Sequence, residues 1–163
     1  MKKLILSLFV LSISGCAVYK PVPENYTGPI ATVTDSGRSE DSTKAQIFAL
    51  TEIDGHNIRS SFQTSRIASQ NQGPILYLSL TKRQVPAVPM KVKIRGSHAT
   101  GAPIHELASR AVGTFHEVEG TVDFTPEPNG NYMVVGTLSK ESSSVWIEDA
   151  NSHQPVTEKV ASK

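Results

Sequence analysis

Three of the five histidines, His98, His105 and His116, fall in one stretch of the chain, and Glu106 and Glu117 directly follow two of them. Imidazole and carboxylate are the groups that hold zinc or move protons near neutral pH. The spacing supports neither task. A catalytic zinc needs about three ligands converging on an open position, often two from one rigid element, and no H-E-x-x-H is present. On a strand, adjacent His and Glu side chains point to opposite faces. We therefore expect no metal site and read the three as loop and strand histidines. Serines are plentiful, but no G-x-S-x-G turn follows a strand-like run. Glu148 and Asp149 would diverge on a strand. Glu117 and Glu119 would lie side by side on one wet face, not across a cleft as a glycosidase pair must. Phosphate loops and dinucleotide fingerprints are missing, so no catalytic residue and no cofactor is expected, and the chain does not read as an enzyme. Two aromatic residues remain as recognition candidates, Trp146 and Tyr132. Val145 and Ile147 share one face of a strand and Trp146 takes the other, and either face fits a core. Tyr132 is open in the same way, with the added option that its hydroxyl ties down a loop.

One reactive side chain is left, and it is unique: Cys16 is the only cysteine among 163 residues. Lys2 and Lys3 precede an apolar run, Leu4 to Ile13, that ends in Ile13-Ser14-Gly15-Cys16. A short positive segment, an apolar run too short to span a bilayer and small residues at the end describe a secretory signal. The stretch Leu11-Ser12-Ile13-Ser14-Gly15-Cys16 closely resembles the lipobox of bacterial lipoproteins. The resemblance implies that the Cys16 thiol is diacylated, that the chain is cut just before it, and that the new N-terminus is acylated too. Ala17, where an inner-membrane retention signal would place Asp, resembles an outer-membrane address. The expected location is the outer membrane, lipid-anchored, on the periplasmic face.

Residues 1–15 then leave as signal peptide, and residues 16–163 are the size of one domain with one hydrophobic core. Lys2 and Lys3 go with the signal, so fourteen of the sixteen basic residues remain against fifteen acidic ones. A balance so close to neutral argues against a nucleic-acid binder, which would show a clustered basic face and a strongly positive balance. No cysteine is left for a disulfide, so the core alone must hold the fold.

Residues 16–29 carry the lipidated Cys and then AVYKPVPENYTGP, whose three prolines and glycine read as an extended tether reaching on the order of 40 Å. Residues 30–163 form the domain. Its dominant pattern is short Val-, Ile- and aromatic-rich runs separated by Gly, Pro, Asn and Asp, which is strand spacing. Ala45 to Ile53 is apolar on both faces, as a central strand would be, and Asp54-Gly55-His56-Asn57 is a hairpin turn. Ser60 to Gly73 reads as a polar connection, and Ile75 to Leu80 as a buried run. The prolines of Arg83 to Pro89 assign that stretch to an edge or a crossing.

Met90 to Gly96 alternates, with Lys91, Lys93 and Arg95 on its wet side. Glu117 to Phe124 alternates with Glu117, Glu119, Thr121 and Asp123 outward. Placed side by side, these strands would exchange ion pairs worth a few tenths of a kcal/mol up to about 1 each. Tyr132 to Leu138, Ser144 to Glu148 and Pro155 to Val160 are further strand candidates. Pro103 to Arg110 is the one helical turn, since Pro suits a first helical position.

Roughly eight strands and one short helix predict an all-β domain, a two-sheet antiparallel sandwich. The stretch Gly130 to Val156, a Tyr-bearing strand followed by a Trp-bearing strand and an Asp-rich turn, resembles small uncharacterised β-sandwich outer-membrane lipoproteins of Gram-negative bacteria. No activity comes with that resemblance. The expected role is a non-enzymatic interaction or scaffolding module of the cell envelope, held to the membrane through Cys16 and meeting an envelope protein partner. The alternative is a glycan- or small-ligand-binding domain that uses exposed aromatics.

Overall fold

The computed structural model describes residues 18–162. The proposed signal peptide and Cys16 lie outside them. The strands are β1 (Ile30–Ser39), β2 (Lys44–Ile53), β3 (His56–Asn57), β4 (Lys82–Pro86), β5 (Met90–Thr100), β6 (Glu117–Phe124), β7 (Asn131–Thr137), β8 (Ser143–Asp149) and β9 (Val160–Ser162). Two helices join them, α1 (Ser61–Ala68) and α2 (Pro103–Ala111).

The domain is all-β in class, and its strands join in one mixed sheet of order β6-β5-β2-β1-β7-β8-β9, with β3 on β2 and β4 on β1. That sheet curls nearly into a barrel. Its two end strands meet where Val160 covers Gly120, leaving no room for a side chain at that glycine. Antiparallel pairing was expected throughout, but β1 and β7 run parallel, Val33 beside Tyr132 and Asp35 beside Val134. Strand β1 serves three neighbours: residues 30–34 pair with β4, 32–35 with β7 and 36–39 with β2. Hydrophobic patterning specifies which face of a strand is buried but not which strand lies next to it, so this fork carries no local signature.

Strand β2 matches its pattern, since Ala45 to Leu50 are all buried. Phe48 and Leu50 join Val33, Ile94, Phe124, Val134 and Ile147 in the core, while α1 packs against β2. The Phe48 ring occupies space left by glycine: a Cβ at Gly96 would stand 2.8 Å from Phe48 Cδ1. The β2–β3 turn places Asp54 and Gly55 at positive φ, 48° and 78°, as a tight hairpin requires. Strands β5 and β6 are neighbours, with Lys91 opposite Asp123 and Arg95 opposite Glu119. The basic and acidic rows therefore neutralise each other through Lys91–Asp123 and Arg95–Glu117 pairs, both 2.9 Å.

One short helix was expected, at Pro103 to Arg110, and α2 is there. The second helix, α1, falls in the supposed polar connection. Its sequence, SFQTSRIA, is rich in Ser and Thr, which compete for backbone groups and favour loops. Tertiary contacts make it a helix. Ser61, Ser65 and Ser69 recur every four residues on one face. Their hydroxyls accept the N–H groups of Thr81 (2.8 Å), Ser79 (2.9 Å) and Tyr77 (2.8 Å) in turn. Four helical residues rise about 6 Å and two extended residues about 6.6 Å. The hydroxyl ladder thus stands in for the neighbouring strand that residues 77–81 lack.

That ladder also corrects the reading of Ile75 to Leu80 as a buried run. The segment is extended but belongs to no strand, and only Leu76 is buried, while Ile75, Tyr77 and Leu80 are exposed. Pro155 to Val160, expected as a strand, forms an isolated bridge at Pro155 and joins the sheet only from Val160 onward.

Candidate functional site

His98 lies on β5, His105 on α2 and His116 just before β6, and the three do not converge. Among the described residues no group of three His, Cys, Asp or Glu side chains is arranged to hold a metal. His105 lies on α2, whereas His98 is buried at the end of β5 with its ring 5.6 Å from that of His116. His116 N–H donates to His98 Nδ1 at 2.9 Å, so the proton of the neutral ring sits on Nε2 and is donated to Glu40 Oε1 at 3.1 Å. Glu40 Oε1 also accepts from Gln46 Nε2, and Lys44 Nζ stands 3.4 Å from Glu40 Oε2. Both ring nitrogens are engaged, which leaves no free lone pair for a general base.

Burial pushes the His98 ring below the ordinary histidine value of 6.5, against the opposing pull of Glu40. Burial pulls the Glu40 carboxyl upward, but the Gln46 hydrogen bond, then His98 and Lys44, outweigh it and hold it below 4.5. Above the ordinary histidine value the ring is neutral in both folded and unfolded chains and contributes no pH dependence. Below it the unfolded chain takes up the proton first, so stability is lost progressively on acidification, and Glu40 adds a second loss at lower pH. The urea midpoint is therefore expected to fall between about pH 7 and about pH 5, and to fall less in His98→Gln. Equal slopes for the two proteins would show that His98 does not carry the effect.

Trp146 faces out of the barrel, because Val145 and Ile147 are fully buried in the core. Its ring is half-buried under Lys159, whose Nζ lies 4.0 Å from the ring centroid. Its indole N–H has no acceptor among the described residues. Tyr132 is in the core at 5% exposure, edge-on to Phe124. Its hydroxyl accepts the N–H of Glu127 at 2.8 Å and so ties down the Pro126 to Gly130 turn.

The densest polar cluster was not singled out from sequence. Asp35 is 1% exposed, and its carboxylate accepts five hydrogen bonds. Arg83 donates twice, Nη1 to Oδ1 at 2.6 Å and Nη2 to Oδ2 at 2.7 Å. Leu50 N–H, Ser61 N–H and the Ser61 hydroxyl supply the rest, at 3.1, 2.9 and 2.8 Å. Ser61 opens α1, so the carboxylate also meets the positive end of that helix. The one available signal was that Asp35 falls in register with Ala31 and Val33, an inward position.

Arg83 is shared with a mostly apolar cavity of about 440 Å³ formed where residues 18–22 cross Ile58, Arg59 and the edge of β4. This segment is held against the domain by Tyr19, which stacks on His56 with ring centroids 4.7 Å apart. No protein-family model, curated protein or solved structure matches the chain.

Proposed function

We propose that this protein is a lipid-anchored, non-enzymatic interaction module of the bacterial envelope, held at the outer membrane through Cys16 and facing the periplasm. The observation that carries the reading is the segment Leu11 to Cys16, which ends in the chain's single cysteine. Two features of the domain support it. His98, the best-placed candidate base, has both ring nitrogens engaged. Helix α2 carries two exposed apolar side chains, Ile104 (65%) and Leu107 (65%), and exposed Val112 (73%) directly follows it. Strand β5 begins beside the β2–β3 turn, where Asp54 N–H bonds Lys91 C=O, and leads at its other end into α2. Its length puts α2 on the order of 30 Å from the turn on which Tyr19 stacks. An anchor at one end and an apolar helix at the other is the layout a membrane-bound module needs to reach a partner. Confinement near the membrane would raise its effective concentration for other anchored components. We read the curled sheet as a sandwich of two facing layers that share β1.

The test is in-cell crosslinking and pull-down from solubilised envelopes, comparing the native chain, Cys16→Ala and Ile104→Glu/Leu107→Glu. Helix α2 buries no residue, so the double variant keeps the fold. A stoichiometric partner lost in both variants supports the reading, and recovery of the protein alone contradicts it. Binding of a small ligand is the second reading. It is favoured by the cavity at residues 18–22 rather than by Trp146, which Lys159 covers, or Tyr132, which is buried.

A further inference from the structure

Little chain separates the proposed lipid from the folded domain. Val18 and Tyr19 stand with Arg59 and Gln84 around one cavity, and the Tyr19 ring stacks on His56 at 4.7 Å. The residues that follow stay on the domain. Lys20 pairs with Glu24 at 3.2 Å, Tyr26 N–H bonds Pro23 C=O, and Pro29 C=O accepts the N–H of Ala87. Cys16 is two residues before Val18, and an extended chain spans at most about 3.6 Å per residue, so a lipid on Cys16 lies within about 7 Å of Val18. That is no more than the Debye length of about 8 Å at physiological salt, so cations on this side of the domain act on lipid headgroups. Two cations stand there. Arg59 lines the cavity, and Lys82 shares the outward face of β4 with Gln84. Both are exposed, and neither meets a carboxylate among the described residues. Beside them Val18 and Tyr19 are 48% and 38% exposed, and a tyrosine flanked by basic residues is the composition that settles at a membrane interface.

We infer that the face formed by Val18, Tyr19, Arg59 and Lys82 rests on the anionic phospholipid surface that holds the anchor, so that the domain stands on the membrane with α2 directed away from it. The inference rests on the anchored reading and adds which side of the domain meets lipid. Each Lys or Arg near an anionic surface contributes only modestly. Two cations therefore orient a chain that is already tethered but do not hold an untethered one. Helix α2, on the order of 30 Å away, is left open to a partner.

The test uses the unacylated chain from residue 16, coupled through its Cys16 thiol to a maleimide-bearing lipid. The vesicles are phosphatidylcholine and phosphatidylglycerol with a lipid that carries a nitroxide quencher on its headgroup. Every contact described above lies within residues 18–162, so this chain retains the fold. Each variant carries Trp146→Phe and one tryptophan elsewhere, either Gln84→Trp on the proposed face or Ile104→Trp on α2; both positions are exposed. Gln84→Trp is expected to lose most of its emission and Ile104→Trp to keep its own. Adding Arg59→Glu/Lys82→Glu should restore much of the Gln84→Trp emission on these vesicles. Equal quenching at the two sites, stronger quenching at Ile104→Trp, or indifference to the charge reversal overturns the assignment. Emission of Gln84→Trp that changes only at high coupling density gives the face to a second copy of the chain and overturns it as well. The coupling supplies the anchor whether or not cells acylate Cys16, so failure here is distinct from failure of the anchored reading, which the mass of the native protein decides.

Discussion

Asp35→Ala is expected to cost about 3–5 kcal/mol of folding stability, the usual penalty for removing one partner of a buried ion pair. The Asp35 side chain is wholly buried and that of Arg83 nearly so, so the substitution strands a guanidinium charge away from water. It also orphans Leu50 N–H and the first N–H of α1, and releases the hydroxyl of Ser61 that links the carboxylate to the ladder on residues 77–81. Because small domains are stable by only about 5–15 kcal/mol, this loss approaches unfolding. Urea denaturation measures it, and a loss below about 1 kcal/mol would show that the network is not structural. The double variant Asp35→Leu/Arg83→Met separates charge from packing. It should recover much of the loss, since exchanging a whole buried pair for apolar groups is far cheaper than breaking it.

Cys16→Ala is expected to move the protein almost wholly from the membrane pellet to the soluble fraction after a high-salt wash. Each methylene of a buried acyl chain contributes about 0.8 kcal/mol, and two or more chains hold stably where one does not. Among the described residues nothing replaces that. The apolar run Leu4 to Ile13 is too short to span a bilayer, and among the described residues no helix is long and apolar enough to do so. The exposed charge rows of β5 and β6 cancel each other, so attraction to anionic lipid is weak. A variant still pelleting after the wash would refute anchoring through Cys16.

The parts of the fold legible in the sequence are those that local patterns determine. Lys91, Lys93 and Arg95 alternating with Met90, Val92 and Ile94 specify a strand with one wet face, and Glu117 to Phe124 does the same, so their pairing and its ion pairs follow. Asp54-Gly55 and Asn129-Gly130 marked turns because few other residues tolerate such backbones, and Asn129 has a φ of 60°. Pro103 marked the start of α2. Other features depend on partners distant in the chain. Helix α1 exists because Ser61, Ser65 and Ser69 meet the backbone of residues 77–81, and nothing in a polar stretch announces that. Ile75 to Leu80 is apolar, yet what lies beside it is a helix bearing hydroxyls rather than a strand. Asp35 and Arg83 are forty-eight positions apart, and each sat in a stretch that read as turn or edge. His98 shares the inward register of Ile94, and its contacts with Glu40 and His116 come from residues distant in the chain.

The claim on which the proposed function depends is the lipid on Cys16, and the intact mass of the protein extracted from envelopes tests it most directly. The expected mass is that of a chain that begins at Cys16 and carries a diacylglyceryl group, with a further acyl chain on its new N-terminus. A mass matching an unmodified chain, whether starting at Met1 or at any residue past Cys16, would contradict it.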